Sequence, residues 1–326
     1  METLEQVNIR SRSPRVVVLV LNWNGLLIKY QDEPILKQCL DNLRSTNYSN
    51  LDVVLVDASS SDGSKEYVEQ NFETVHVLTV DNISWSYNNN RGLEHIFGNF
   101  PDAEYVVMMS NDIIAYDRNW LSRFLDPIEG NDSIGIASCK LVDTEGRTQY
   151  TGLRLAKYGG FEPVTSRGTG FISGDGYIVG AFFLMNARML RKIGFLDESY
   201  VMMGSEDTDI CERARLAGYK IFYEDDVVLS HIGSASTFSL SDEIEGRWDL
   251  KELKFNMRVN NYVFLLRWRK SRVPFFLLYD AASTIIRIKP KIHLNRPLFS
   301  GIVESFTSLL RAVQLYRTTK IKFPKN

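Results

Sequence analysis

Residues 15–25, RVVVLVLNWNG, decide the fold. The run RVVVLVL is apolar, of strand length and rich in β-branched side chains, the pattern of a buried strand. It ends in NWNG, a turn signal at the strand's carboxyl end. Residues 35–43 (ILKQCLDNL) follow with helical spacing, and residues 51–56 (LDVVLV) are a second buried strand that ends at Asp57. The segment ASSSDGS leads into a helix through Tyr67 to Phe72, and residues 75–80 give a third strand. Strands alternating with helices build βαβ units on a parallel sheet, so the expected class is α/β. Ligands of such sheets bind outside the carboxyl ends of the strands, where residues 22–25 and 57–64 lie. Neither GxGxxG nor GxxxxGK[ST] occurs, so the usual phosphate loops are absent.

Further along, residues 82–92 (NISWSYNNNRG) read either as a loop leading into a helix or as polar side chains lining a nucleotide pocket. Residues 105–109 (YVVMM) are a central strand, followed at once by Ser110, Asn111 and Asp112. A carboxylate there, beside an amide, can hold a divalent cation against a diphosphate, because Mg²⁺ and Mn²⁺ take oxygen ligands and need few protein carboxylates. The same pair can equally be a turn. Asp57, also at a strand end, can accept a hydrogen bond from a nucleobase or a ribose. Residues 134–139 are another strand, residues 146–176 a hairpin or mobile loop near the site, residues 177–184 (YIVGAFFL) a buried strand and residues 187–193 a short helix.

Residues 201–233, VMMGSEDTDICERARLAGYKIFYEDDVVLSHIG, concentrate the acids. Ser205 or Asp207 can cap a helix that runs to Leu216 and stops at Gly218. Ile210, Ala214 and Ala217 can face a core, and Asp209 and Arg213 can pair on the exposed side. Glu206 and Asp207 stand at the mouth of the helix. They suit a general base facing a pocket, or they merely complement the helix dipole. Residues 221–223 and 227–229 continue the sheet, and His231 follows, either as a structural histidine or as one that can reach a metal or a pyrophosphate.

With 326 residues, 44% hydrophobic and 24% charged, the chain is globular rather than disordered. Its three cysteines are far apart and show no CxxC spacing, which fits a reducing compartment and neither a zinc site nor a disulfide framework. The opening residues, METLEQVNIRSRSPR, hold no apolar core, so no secretory signal is expected. The net charge of −2 conceals an asymmetry: residues 251–326 carry 16 Lys and Arg against three acids. That tail is also rich in aromatic and aliphatic residues, which favours an anionic membrane surface over nucleic acid as its partner. Residues 256–272 read as an amphipathic basic helix, the apolar run of residues 273–288 is broken by Asp280 and too short to span a bilayer, and residues 298–315 form a further helix. Packing of these helices on the body is the other reading.

Taken in order, NWNG, VDASSSDGS, NNNRG, MMSND, GAFFL, GFLDE, GSEDTDICERARLAGYKI and VLSHIGSAS resemble the family 2 glycosyltransferases of GT-A fold, most closely their rhamnosyltransferase-like branch. The resemblance covers roughly residues 14–240. It implies a GT-A doubly wound mixed sheet flanked by helices, with a C-terminal helical extension. It further implies that Asn22, Trp23, Asn24 and Asp57 line the base and ribose, that Asn90, Arg91 and Asn111 lie near the nucleotide, and that Asp112 holds Mg²⁺ or Mn²⁺ with His231 beside it. Asp207 would be the catalytic base, within the pair Glu206-Asp207. Three departures are visible: Ala58 stands where the family often has Asn, SWSY replaces a glycine-rich run and makes the pocket wall bulkier, and Asp112 is the single acid of its metal motif. Arg247-Trp248 is similar to the QxxRW of processive synthases, but Ile244 holds the Gln place, so no processive polymerase is inferred.

The resemblance implies an inverting transferase that moves a hexosyl or deoxyhexosyl group from a nucleotide-diphosphate sugar to a glycan or lipid-linked acceptor, in polysaccharide or glycoconjugate assembly. One carboxylate suffices for a single displacement, unlike the paired carboxylates of retaining hydrolases. The alternatives are a sugar-1-phosphate nucleotidyltransferase, which would want a Gly-rich loop after the first strand, and a non-catalytic sugar-nucleotide or polysaccharide-binding module. Three segments are expected: an extension (1–13), a catalytic domain (14–250) and a basic helical tail (251–326). The expected location is cytoplasmic, with peripheral contact at the inner face of the cell membrane.

Overall fold

A computed structural model describes residues 13–233, 249–286 and 299–319. Residues 1–12 of the expected extension, the SAS that follows Gly233, and Ile244, Arg247 and Trp248 lie outside the described residues.

The first strand, β1 (Val16–Asn22), is buried at all seven positions. Its side chains alternate between two cores, with Val17, Leu19 and Leu21 in one and Val16, Val18 and Val20 in the other. That division is what a strand covered on both faces requires. With it run β2 (Leu51–Asp57), β3 (Val75–Thr79) and β4 (Tyr105–Ser110), paired in parallel as β4-β1-β2-β3. The sheet continues with β5 (Ile134–Val142), β6 (Gly170–Ile172), β7 (Phe182–Asn186) and β8 (Lys220–His231), in the spatial order β6-β8-β5-β7-β4-β1-β2-β3. β7 is antiparallel to β4 and β8 is parallel to β5, so the sheet is mixed, as expected. Helices α1 (Ile35–Arg44), α2 (Ser64–Asn71) and α4 (Trp120–Leu125) cover one face. The other carries α3 (Trp85–Asn99), α5 (Ala187–Ile193) and α6 (Glu206–Leu216).

Several local expectations need correction. The three asparagines are not in a loop: α3 begins at Trp85, capped by Ser84 accepting from Tyr87 N, and Asn88, Asn89 and Asn90 are buried within it. Residues 177–184 are not one strand, because β7 starts only at Phe182 and Gly180 turns its N–H toward Asp207 instead of a ladder. Residues 146–176 are more ordered than a mobile loop. Strands Gly152–Leu155, Phe161–Val164 and Gly176–Tyr177 form a small separate sheet. The two expected strands after α6 are a single one, β8, with a register shift between Glu224 and Val228.

The largest difference lies in the tail. Helix α7 (Leu250–Trp268) is not an amphipathic surface helix, since residues 259–265 are all buried. It lies between the body and the helices α8 (Val273–Ile286) and α9 (Phe299–Thr318), and its Val259, Tyr262, Val263, Phe264 and Leu265 share one core with Leu93, Ile210 and Ala214. Arginines at and just after its C-terminal end are tied to body acids. Arg267 Nη1 lies 2.6 Å from Asp197, Arg269 Nη2 2.8 Å from Glu212, and the next Arg, Arg272, 2.5 Å from Asp175. Arg267, Arg269 and Arg272 of the expected basic helix therefore face protein. Among the described residues no helix is long and apolar enough to cross a membrane.

Candidate active site

The turn before α6 is contorted. Met202, Gly204 and Ser205 all have positive φ, at 59°, 110° and 76°. For Met and Ser that conformation costs about 1–3 kcal/mol each, and such strain gathers where side chains must be aimed. Ser205 holds the cap position, yet its side chain makes no capping bond. The first turn instead presents Glu206 and Asp207 to a cavity of about 770 Å³. Asp207 Oδ2 accepts from Gly180 N at 2.9 Å, and Asp207 Oδ1 accepts from Thr208 N at 2.7 Å. Any side chain at Gly180 would press on that carboxylate, because a Cβ would lie 3.3 Å from Asp207 Oδ2.

The two adjacent carboxyls differ in environment. Glu206 is buried, and its Oε2 has no hydrogen-bond partner. Burial first, and then the charge of Asp207, push its carboxyl up to about 8. Asp207, half-buried and open to the cavity, is pushed up by burial to about 6, held back by the N–H groups of Thr208 and Gly180. Neighbouring carboxyls held apart in this way divide into one that keeps its proton at neutral pH and one that does not.

On the same cavity stand Asp112, just past β4, and His231, the last residue of β8. They meet because the short strand Ile113–Ile114 pairs with the end of β8, Ile113 opposite His231. His231 Nε2 is 3.6 Å from Asp112 Oδ2, and its Nδ1 is 2.7 Å from Gln149 Oε1. An amide oxygen only accepts, so it suits the tautomer in which Nδ1 carries the hydrogen and Nε2 keeps its lone pair on the side of the carboxylate. Two electron-rich donors facing each other, with the outer ring nitrogen already fixed, fit a shared divalent cation. Among the described residues no three His, Cys, Asp or Glu side chains form such a group.

The other expected residues divide. Asn22, Asp57 and Asn111 form a buried chain: Asn111 Nδ2 donates to Asn22 Oδ1 (2.7 Å) and Asn22 Nδ2 to Asp57 Oδ1 (2.9 Å). Ser60 joins it by donating from Oγ to Asp57 Oδ1, and it accepts from Asn24 N. Gly25 is required beside it, since a Cβ would overlap Asn22 Oδ1 and Asn111 Nδ2. This chain holds together the ends of β1, β2 and β4, and Asn111 links it directly to Asp112. Trp23 packs partly buried against the core. Asn90 and Arg91 point elsewhere. Asn90 bonds both N and O of Leu196, and Arg91 pairs with Glu94 and Glu198 beside a separate depression that also includes Asp81 and Tyr87. The bulkier wall expected from SWSY is present as Trp85, which lines the cavity.

Sequence reading missed Gln149 and the cavity wall made by α7 and α8. Gln149 sits in a stretch of weak periodicity, and the wall comes from helices whose exposed and buried faces could not be told apart by charge alone.

The molecule is similar to known proteins at two levels. The model of the glycosyl transferase family 2 matches residues 26–194, just over half of the chain. A curated relative, the uncharacterized protein y4gI of Sinorhizobium fredii (strain NBRC 101917 / NGR234), is 24% identical over 213 residues, 60% of this chain. The chain covers 22% of that relative's length. Among solved structures, GalNAc-T7 with UDP, GalNAc and Mn²⁺ superposes at a TM-score of 0.61 with 12% identity, over 96% of this chain and 59% of that one. S. aureus TarS 1–349 in complex with UDP superposes at 0.52 with 13% identity, over 93% and 89%. The same protein with UDP-GlcNAc gives 0.53 at 12%, over 93% and 90%. At such identities the likeness is one of fold: a curled mixed sheet with flanking helices, that of the GT-A glycosyltransferases.

Proposed function

Because this chain belongs to glycosyl transferase family 2, we propose that it transfers a sugar from a nucleoside-diphosphate donor to a hydroxyl of a glycan or lipid-linked acceptor, with inversion at the anomeric carbon. The observation that carries this reading is the meeting of Asp112, His231, Glu206 and Asp207 on one cavity at the carboxyl ends of the parallel strands. Asp112 and His231 would hold Mg²⁺ or Mn²⁺, with donor phosphate oxygens completing the shell. When bound, the cation neutralises the charge that develops on the departing diphosphate. The complexes of GalNAc-T7 with UDP and Mn²⁺, and of TarS with UDP-GlcNAc, support a nucleotide sugar as the donor here too.

In this reading Asp207 is the base. It takes the acceptor's proton as the hydroxyl oxygen bonds to the anomeric carbon, while the bond to the diphosphate breaks and its electron pair leaves with the nucleotide. Glu206, kept protonated, does not compete for that proton and spares Asp207 a neighbouring negative charge. The chain of Asn22, Asp57 and Asn111 sets the loops that would meet the nucleotide. The catalytic unit takes in residues 14–250 together with α7 and α8, which close the cavity. A deoxyhexose donor and a role in polysaccharide or glycoconjugate assembly are parts of the proposal that rest on the rhamnosyltransferase-like motifs. Peripheral docking on an anionic membrane belongs to it as well. Its support is Lys270 and the exposed Phe275, Leu278, Val303, Phe306 and Leu310, not the paired arginines.

The test is nucleotide release from UDP-, GDP- and dTDP-hexoses and deoxyhexoses, with Mn²⁺ or Mg²⁺ and lipid-linked oligosaccharide acceptors. Release with one donor, abolished by chelator and dependent on acceptor, is expected. Release at an unchanged rate in excess chelator would remove the metal from the reading.

A further inference from the structure

Part of the wall of the cavity that Asp207 lines is made by α7, α8 and the turn between Leu155 and Phe161. Asn261 of α7 donates Nδ2 to Gly159 O at 3.1 Å. Its Oδ1 is buried, has no partner, and belongs to a side chain that lines the cavity and is 8% exposed. A buried amide oxygen without a donor is costly, and natural structures rarely leave one without a use. Beside it the rings of Tyr158 and Tyr279 stack at 4.0 Å and 26°, and Phe161 and Phe276 line the same wall.

Of the two cations on this wall, Arg258 is already matched. Arg258 binds Asp280 at 3.0 Å and Glu304 at 3.0 Å, and Lys254 is exposed at the mouth. The remaining ionisable side chains of the cavity are acids, apart from His231. An anionic group unaccompanied by a metal cation would meet more carboxyls than basic groups here, and a purely apolar one would leave Asn261 unsatisfied. A ring with hydroxyl donors on its edge and C–H groups on its faces suits both features.

We propose that this wall is a subsite for a neutral pyranose residue of the acceptor, with Asn261 Oδ1 accepting a hydrogen bond from a ring hydroxyl and the Tyr158–Tyr279 pair packing against the sugar. The proposal rests on the transferase reading above and adds that the acceptor ends in a neutral sugar. The helices that supply Asn261 and Tyr279 lie beyond the residues matched by the family model. Tyr158 and Gly159 lie within the matched residues, so the subsite is formed where this chain's tail meets the family's domain.

The experiment titrates the full chain with methyl glycosides of neutral hexoses, 6-deoxyhexoses and N-acetylhexosamines, by calorimetry and saturation-transfer NMR, in the presence of Mn²⁺ and UDP, GDP or dTDP. At least one glycoside should bind. Tyr279→Ala should weaken it about threefold to tenfold and Tyr279→Phe should leave it within about twofold, because the ring matters and not its hydroxyl. Asn261→Ala should cost about threefold to tenfold. If Asn261→Ala does not fold, the Tyr279 pair decides alone, since that ring is exposed. Nucleotide binding without glycoside binding, or glycoside binding equal in Tyr279→Ala and the native chain, overturns the subsite and leaves the transferase reading intact. Failure of every nucleoside diphosphate to bind removes the transferase reading and the subsite with it.

Discussion

Helix α6 carries two pairs of acids, Glu206-Asp207 and, one turn on, Asp209 and Glu212, and the pairs live in different surroundings. The first pair faces a cavity without a cation from the protein bound to it, and burial raises both carboxyls. The second is surrounded by donors. Asp209 accepts from Arg213 Nε at 2.9 Å, Trp268 Nε1 at 2.8 Å and Tyr200 OH at 3.1 Å. Glu212 accepts from Tyr177 OH at 2.6 Å and from Arg269 at 2.8 Å. The same residue types on one helix thus divide into a reactive end and a structural end, and what divides them is the tail. Trp268 and Arg269 fasten α7 to the second pair, while α7 and α8 leave the first pair open to the cavity.

The largest effect expected from this contrast is on turnover. Asp207→Asn keeps the shape and removes the base, so kcat should fall about 10²–10⁴-fold while donor affinity stays near native. Thermal stability should not fall, because no protein cation loses a partner. Unchanged kcat in Asp207→Asn would make the first pair as structural as the second. Glu206→Gln should cost less, as an amide resembles the protonated carboxyl that it replaces.

Asp209→Ala should do the reverse. It leaves Arg213, buried at 4% exposure, without its carboxylate, and removal of one partner of a buried pair costs roughly 3–5 kcal/mol. Urea unfolding should show that loss, whereas the protein that remains folded should keep its affinity for the nucleotide. An unfolding midpoint equal to the native one would mean that the second pair is dispensable.

The i,i+4 spacing of Asp209 and Arg213 made their pairing legible in the sequence, but their burial was not, because Trp268 and Arg267 arrive from more than 50 residues downstream. β1 was legible for the opposite reason: an unbroken apolar run can be accommodated only inside a two-sided sheet. Asp112 and His231 could each be picked out as residues following strands. Their meeting depends on Ile113 and Ile114 folding onto β8, and nothing in a two-residue strand announces that. The basic tail misled because charge was counted without its partners, which are acids distant in sequence.

A smaller effect concerns pH. Glu206 has its carboxyl raised in the folded state, from 4.5 to about 8, so the folded protein binds a proton that the unfolded chain has released. Its contribution to stability is complete below about pH 4.5 and is lost as pH rises through about 8. Native protein should therefore lose stability across that window, and Glu206→Gln should flatten the slope. Turnover should rise with pH through about 6 as Asp207 ionises. A stability slope that is the same in Glu206→Gln would assign the titration to another group.

The smallest effect separates the arginines that hold α6 from the surface that is free to meet a membrane. Arg269 binds Glu212 and Asp175, so Arg269→Glu brings like charges together inside the protein and should register in unfolding before any change at a membrane. Lys270 is exposed and lies over the Tyr316 ring at 5.5 Å. Lys270→Glu should shift stability by no more than about 0.5 kcal/mol. If the tail docks on anionic lipid, each basic group near the surface is worth about 1 kcal/mol, so the reversal should weaken liposome binding at least about fivefold, less so as salt rises. Phe275→Ser with Leu278→Ser should weaken binding to the same liposomes even in high salt, because burial of apolar side chains is not screened. Equal liposome binding by native chain, Lys270→Glu and the double serine variant would take the membrane out of the proposal. The tail's work would then be confined to clamping α6 and walling the cavity.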